Sequence, residues 1–270
     1  MKLWRRGPRG VGRFVLFAHW RSGSTTLVRA LERHPELRIL NEPLSETFTK
    51  WRPGDRDYHR LIKDKRSLDA ELEHMFAEHN GIKILGYQMP WDLNVHLLRN
   101  TGVRVVLLKR LNLMQTVVSG LIAQQTDVWH AWDVEDDLDR RYAALQPIPV
   151  EEVRKGIADI GEDVAYHEGI LRRRRDGWMV ITYEELYHAD PEQRRAALDS
   201  VYTFLGVDPA DARETAHLLD PARTKLNSER TLAYLPNARE LDAALGNEVT
   251  GRLFEDRSEP SIDGSGGKVQ

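Results

Sequence analysis

The sequence predicts an α/β protein with three layers, a mostly parallel central sheet and helices on both of its faces. Two observations carry this reading. Short apolar runs bounded by turn residues recur along the chain and alternate with segments of helical period. One of those junctions, "FVLFAHWRSGSTTLVRALERHP" at 14–35, is a strand, a Gly/Ser/Thr turn and a helix, which is how proteins build a phosphate cradle. Alternating strand and helix leaves little choice but a parallel sheet covered on both sides.

The elements follow in order. Strands are predicted at Phe14–Ala18, Arg38–Leu40, Ile82–Gly86, Val103–Leu108 and Trp178–Thr182, and helices at Ser24–His34, Leu68–His79, Asn112–Gln125, Glu151–Arg174 and Pro191–Leu205. The helix ending in Arg172–Arg175 reads as solvated, with cations at its C-terminal end. Asp55–Arg66 is polar and reads as a loop or mobile lid. With 270 residues and a hydrophobic fraction of 41%, the chain can build a substantial core. One domain is expected over residues 1–254, followed by a Gly/Ser/charge-rich tail, 255–270, that reads as disordered.

A net charge of −3 gives no global field for nucleic acid or an anionic membrane, so neither is an expected partner. The absence of cysteine excludes disulfides, a thiol nucleophile and cysteine-ligated zinc. The basic start (Lys2, Arg5, Arg6, Arg9) precedes an apolar run too short for a signal sequence, and nothing approaches a membrane span. The expected location is cytoplasmic. A homodimer is allowed for.

In a doubly wound sheet, ligands bind outside the carboxyl ends of the strands. That rule gathers Arg21–Thr26, Asn41–Glu42, Arg110 and Tyr183–Glu184 on one rim. The turn offers backbone N–H groups, the hydroxyls of Ser22, Ser24, Thr25 and Thr26 around Gly23, and the fixed charge of Arg21, a set suited to an anion. The alternative is that Ser24 merely caps a helix. The Lys-Ser/Thr pair of a nucleotide triphosphatase loop is missing, so magnesium-dependent hydrolysis of ATP or GTP loses its support. Glu42 follows a strand and precedes a proline, placing a carboxylate on a fixed turn where it can take a proton from a hydroxyl; a surface ion pair is the plainer fate of such a residue. Arg110 ends a strand, and Ser119 lies about two to three turns along the next helix, so the two can grip a second phosphate. His19 is a substitute base if it is not structural. Lys83 can reach the rim, although a strand lysine is usually solvated.

These segments, in this order, resemble the sulfotransferases that use 3′-phosphoadenosine 5′-phosphosulfate (PAPS), nearest to bacterial trehalose-type and Golgi-type carbohydrate sulfotransferases. "RSGST" matches the 5′-phosphosulfate loop, "NEPL" the segment carrying the proposed catalytic glutamate, and Arg110 with Ser119 the 3′-phosphate site, with a spacing slightly longer than many members carry. "DGWMVITYEELYHADPEQRRAALDSVYTFLGVDP" is similar to the closing strand, Tyr-Glu turn and final packing helix. "TKLNSERTLAYLPNARELDAAL" is similar to a C-terminal loop over the nucleotide, contributing Arg223, Lys225 and Asn227. The resemblance implies a P-loop-type fold, PAPS as co-substrate, no metal in the transfer, and a small-molecule hydroxyl acceptor. For that acceptor a sugar is the first choice, with Trp51, Trp91, Trp129 and Trp132 near rim loops as stacking surfaces or as ordinary packing; a phenol or alcohol on a secondary metabolite is second. Two other functions stay open: a P-loop small-molecule kinase, and a non-catalytic binder of adenosine 3′,5′-bisphosphate.

Overall fold

The computed structural model describes residues 11–52, 54–100, 102–129, 138–209, 215, 217–221 and 229–254. Five strands, β1 (Phe14–Ala18), β2 (Ile39–Asn41), β3 (Gly81–Leu85), β4 (Arg104–Lys109) and β5 (Trp178–Thr182), form one sheet in the order β2-β3-β1-β4-β5. Every neighbouring pair is parallel. β1 lies in the middle, and all five of its residues are fully buried. This is the continuous apolar reading that a strand covered on both faces requires.

Among the described residues the α-helices run, in chain order, α1 (Ser24–Leu31), α2 (Phe48–Trp51), α3 (Tyr58–Leu61), α4 (Lys65–Glu78), α5 (Trp91–Arg99), α6 (Leu113–Thr126), α7 (Leu138–Ala143), α8 (Val150–Leu171), α9 (Tyr183–Leu186), α10 (Pro191–Leu205), α11 (Glu229–Leu232) and α12 (Ala238–Leu245). Alternation along the strands divides the core between them. Phe14, Leu16 and Ala18 of β1, with Val106 and Leu108 of β4, pack on α1 and α10. Val15 and Phe17, with Ile82, Ile84, Val105 and Leu107, face α4, α5 and the end of α8. Each fully buried aliphatic side chain in these layers contributes about 1.5–3 kcal/mol. The result is a P-loop-type three-layer fold. A third cluster joins α6 and α8 to α12 at one side.

Strand ends differ from the sequence reading by a residue or so, and four longer differences have physical causes. α4 begins at Lys65, three residues before the first apolar position, because Asp64 and Ser67 form a reciprocal capping box. Asp55–Arg66 is not a featureless loop. Asp57 caps the short α3, Tyr58 is buried, and Arg56 pairs with Glu71 through two hydrogen bonds of 2.6 and 2.8 Å. At the end of α8, Arg174 is buried rather than solvated: its guanidinium donates to the carbonyls of Leu98 and Val103. The helix itself stops at Leu171. α5 had no sequence signal beyond Pro90 at its N-cap, and its Leu93, Leu97 and Leu98 seal the sheet.

Two glycines show where packing decides a residue. A Cβ at Gly120 on α6 would lie 1.4 Å from Trp20 Cζ3, so the indole rests on bare backbone. Gly120→Val is expected to lower stability by about 2 kcal/mol or more through overpacking. A Cβ at Gly169, in α8, would meet nothing within 4 Å, and Gly169→Ala is expected to add about 0.5–1 kcal/mol. Urea midpoints of the two variants check the pair, and equal midpoints would contradict the Trp20–Gly120 contact.

Candidate active site

The carboxyl ends of β1 to β5 open into one cleft of about 1180 Å³. That exceeds the usual few hundred to about 1,000 Å³ of a single-ligand pocket, so two reactants can share it. Arg21, Glu42 and Arg110 all line it. Among the described residues, the non-glycine residues with positive φ are Arg21 (60°), Glu42 (53°) and Asp127 (54°), and all three line this cleft. Left-handed backbone at side-chain-bearing residues costs of order 1–3 kcal/mol each and persists where surrounding structure holds it. The strain is concentrated where the chain must turn side chains into the cleft.

The turn after β1 is built for close approach. Gly23 (φ 82°) is the N-cap of α1 and supplies no side-chain cap. The alternative in which Ser24 caps the helix is therefore not what the structure adopts. A Cβ at Gly23 would fall 2.6 Å from the Tyr187 ring, whose hydroxyl donates to the Gly23 carbonyl at 2.6 Å. Ser24, Thr25 and Thr26 line the cleft at the positive end of the helix. Ser22 does not: it is buried, and its hydroxyl donates to the His19 carbonyl at 2.6 Å, closing the turn from beneath.

Arg21, Arg110 and Ser119 meet on the other side of the turn. Arg21 Nε donates to Ser119 Oγ at 2.8 Å and its Nη1 to the Trp129 carbonyl at 2.5 Å. Arg110 donates from Nη2 to Gln115 Oε1 at 2.6 Å and from Nη1 to the Arg21 carbonyl at 3.3 Å. Its guanidinium lies 4.3 Å from the centre of the Tyr183 ring, and its buried Nε has no partner. Burial lowers the pKa of this arginine against the upward pull of Tyr183 and Glu184. A held guanidinium with an unsatisfied donor suits an anion. Glu184 has a different task, accepting from the backbone N–H groups of Leu111 and Asn112 to fix the turn into α6.

Glu42 meets a partner that sequence reasoning undervalued. Lys83, on β3, is 1% exposed, and its ammonium donates to Glu42 Oε1 at 2.5 Å and Thr25 Oγ1 at 2.8 Å. Gln88 Nε2 donates to Glu42 Oε2 at 3.0 Å, and Gln88 is itself held by the Leu85 N–H. The carboxylate, with its side chain 23% exposed, is thus oriented from below while it faces the cleft. Burial drives the pKa of Lys83 down, and Glu42 draws it back up. The signal was in the sequence: "GIKIL" is a central parallel strand, and a lysine there has no solvated face to use. Lys83→Met removes the desolvated ammonium but unpairs Glu42. Its expected cost is below the roughly 3–5 kcal/mol of breaking a fully buried pair, because Glu42 touches water. Chemical denaturation checks this, and a cost above that range would mean that Lys83 supports more than the carboxylate.

The other candidates separate. His19 is buried away from the cleft, and burial, with His167 beside it, pushes its pKa down to about 4. Trp129 lines the cleft, whereas Trp91 stacks on Tyr166 at 3.7 Å away from it. The exposed ring of Tyr87, which the sequence did not single out, also lines the cleft. Arg223, Lys225, Asn227 and Trp132 lie outside the described residues, as do residues 255–270, and the side chain of Trp51 is likewise not described. Leu232 and Leu253, from the C-terminal part, reach the cleft wall. Among the described residues, no helix is long and apolar enough to cross a membrane.

No family model matches the chain, and no curated protein matches it. Among solved structures the chain is similar to retinol dehydratase in complex with androsterone and the inactive cofactor PAP, at 13% identity over 83% of this chain and 71% of that one, with a TM-score of 0.36. It is also similar to a sulfotransferase domain from the curacin biosynthetic pathway, at 15% identity over 75% of this chain and 77% of that one, with a TM-score of 0.37.

Proposed function

We propose that the protein transfers the sulfuryl group of PAPS to an acceptor hydroxyl, on a sugar or a glycosylated small molecule. The observation that carries this reading is the meeting of two arginines, an uncapped helix N-terminus and one oriented carboxylate in a single cleft. The adjoining arginines, Arg21 on Ser119 and Arg110 on the Arg21 carbonyl, together with the start of α1, suit a nucleotide with phosphate at both its 5′ and 3′ positions. A carboxylate beside them, held by Lys83 and Gln88, suits removal of a proton and is a poor neighbour for the nucleotide itself.

In this mechanism the acceptor oxygen attacks sulfur in line. The bond between sulfur and the bridging oxygen of the 5′-phosphate breaks, and adenosine 3′,5′-bisphosphate leaves with that electron pair. The acceptor proton passes to Glu42. Arg21 and the N–H groups at the start of α1 stabilise charge growing on the departing phosphate. The transition state is loose and charge-rich, so positioning and electrostatics dominate, as in phosphoryl transfer. Arg110 and Ser119 hold the 3′-phosphate. The aromatic surfaces of Trp129 and Tyr87 at the cleft favour a sugar ring.

Titrating the full chain with adenosine 3′,5′-bisphosphate, and separately with ATP and magnesium, tests the donor. The bisphosphate is expected to bind more tightly and to raise the melting temperature, by about 2.7 kcal/mol of stability at a hundredfold excess over Kd. Preference for ATP–magnesium would replace this reading with a kinase. A screen of hydroxyl acceptors with labelled donor then separates a catalyst from a binder.

A further inference from the structure

At the end of β1, beside the cleft but not among the residues lining it, three side chains converge that the proposed transfer does not use. His19 is the first residue after β1. Asp163 and His167 stand one turn apart on α8 and share a face. Nδ1 of His19 is 3.4 Å from Asp163 Oδ2, and Nδ1 of His167 is 3.4 Å from Asp163 Oδ1. Both contacts are long for hydrogen bonds, whose usual range ends near 3.2 Å. His167 is fully buried and His19 is 5% exposed, yet Nε2 of both rings and Nδ1 of His167 have no hydrogen-bond partner. Buried polar atoms are nearly always satisfied, and each exception needs a reason.

For His167 Nδ1, the orphan that faces Asp163, a metal ion supplies one. Ligand atoms about 2.0–2.2 Å from a tetrahedral ion stand about 3.3–3.5 Å apart, which is the separation of each imidazole Nδ1 from one Asp163 oxygen, Oδ2 for His19 and Oδ1 for His167. One ligand atom from each of the three residues lies within 4.8 Å of the others, so no pair closes by more than about 1.5 Å on binding. Space is provided by Gly86, where a Cβ would sit 3.4 Å from Asp163 Oδ2 and 3.5 Å from His167 Cε1. The Asp163 side chain is 30% exposed, leaving a route for an ion and its water.

We propose that His19, Asp163 and His167 form a site for one divalent transition-metal ion of the zinc class, held by two imidazoles and one carboxylate with water completing its shell. Two nitrogen donors and a single carboxylate select such an ion over magnesium or calcium, which prefer all-oxygen sites. The ion ties α8 to the residue that opens the phosphate turn, since the His19 carbonyl accepts from Ser22 inside that turn. Its role is structural and stands apart from the transfer chemistry, for which the sequence reading expected no metal. The ligands come from elements far apart in the chain, so no spacing motif announces them.

The test uses the full chain, stripped with a chelator and titrated with Co²⁺ while visible absorption is followed, then with Zn²⁺. One equivalent of cobalt is expected to give d–d bands that zinc abolishes, and zinc is expected to raise the melting temperature. Asp163→Asn and His19→Gln are each expected to weaken cobalt binding by at least about 10–100-fold, while His96→Ala, at a histidine that pairs with Asp69 elsewhere, leaves it unchanged. Melting of each variant without metal establishes that it folds, and either variant alone suffices for the comparison. Absence of stoichiometric binding, or binding unchanged in a folded Asp163→Asn or His19→Gln, would overturn the proposal. So would loss of binding in His96→Ala.

Discussion

Glu42→Gln is expected to reduce turnover by about 10²–10⁴-fold, the usual share of a general base, with nucleotide affinity close to that of the unmodified protein. Glutamine keeps the shape and can still accept from Lys83. Its NH₂ then faces the NH₂ of Gln88, whose own orientation is set by the Leu85 N–H, and the buried Lys83 loses its counter-charge, so the variant is expected to lose stability by up to about 3–5 kcal/mol or to hold Lys83 without its proton. A melting curve of the variant therefore accompanies the rate measurement and establishes that it is folded under the assay conditions. Removing a carboxylate near two phosphates relieves repulsion, which favours nucleotide binding slightly. Single-turnover rates with labelled donor and calorimetry with adenosine 3′,5′-bisphosphate measure the two quantities separately. Turnover at the original rate removes Glu42 from the mechanism. A folded variant without nucleotide binding makes Glu42 a support of the donor site instead.

Arg110→Ala is expected to weaken adenosine 3′,5′-bisphosphate by roughly 10- to 150-fold, the equivalent of about 1.5–3 kcal/mol for a lost charge-assisted contact. Adenosine 5′-phosphate is expected to lose much less. Some loss for both nucleotides follows from the structure, because Arg110 also donates to the carbonyl of Arg21, a residue with strained backbone. The ratio of the two affinities is consequently the informative quantity. A ratio unchanged by the substitution would show that Arg110 acts by bracing the phosphate turn and does not read a 3′-phosphate.

Much of the scaffold was legible because its determinants are local. Apolar runs covered on both faces, the Gly23 turn and the onset of α1 are written in neighbouring residues, and a parallel sheet then sends every strand's carboxyl end to one rim. That rule alone placed Arg21, Glu42 and Arg110 together. α5 escaped because nine residues beginning after a proline give little periodicity to read, and Arg174 escaped because a run of four arginines looks solvated until the carbonyls of Leu98 and Val103 are brought against it.

The sequence by itself determined the sheet, the phosphate turn and which strand ends share the cleft. Only the tertiary structure decided what each charged group touches: Lys83 under Glu42, Ser119 against Arg21, Ser22 facing inward, and Asp163 between two histidines. The physical reason is geometric. Strand period and turn chemistry are properties of a few adjacent residues, whereas a side-chain pair depends on register between strands and on the rotation of each helix. A register slip of one residue turns a strand's side chains to the opposite face, so Asn41 opposite Lys83 is a fact of the folded sheet that no stretch of the chain contains alone.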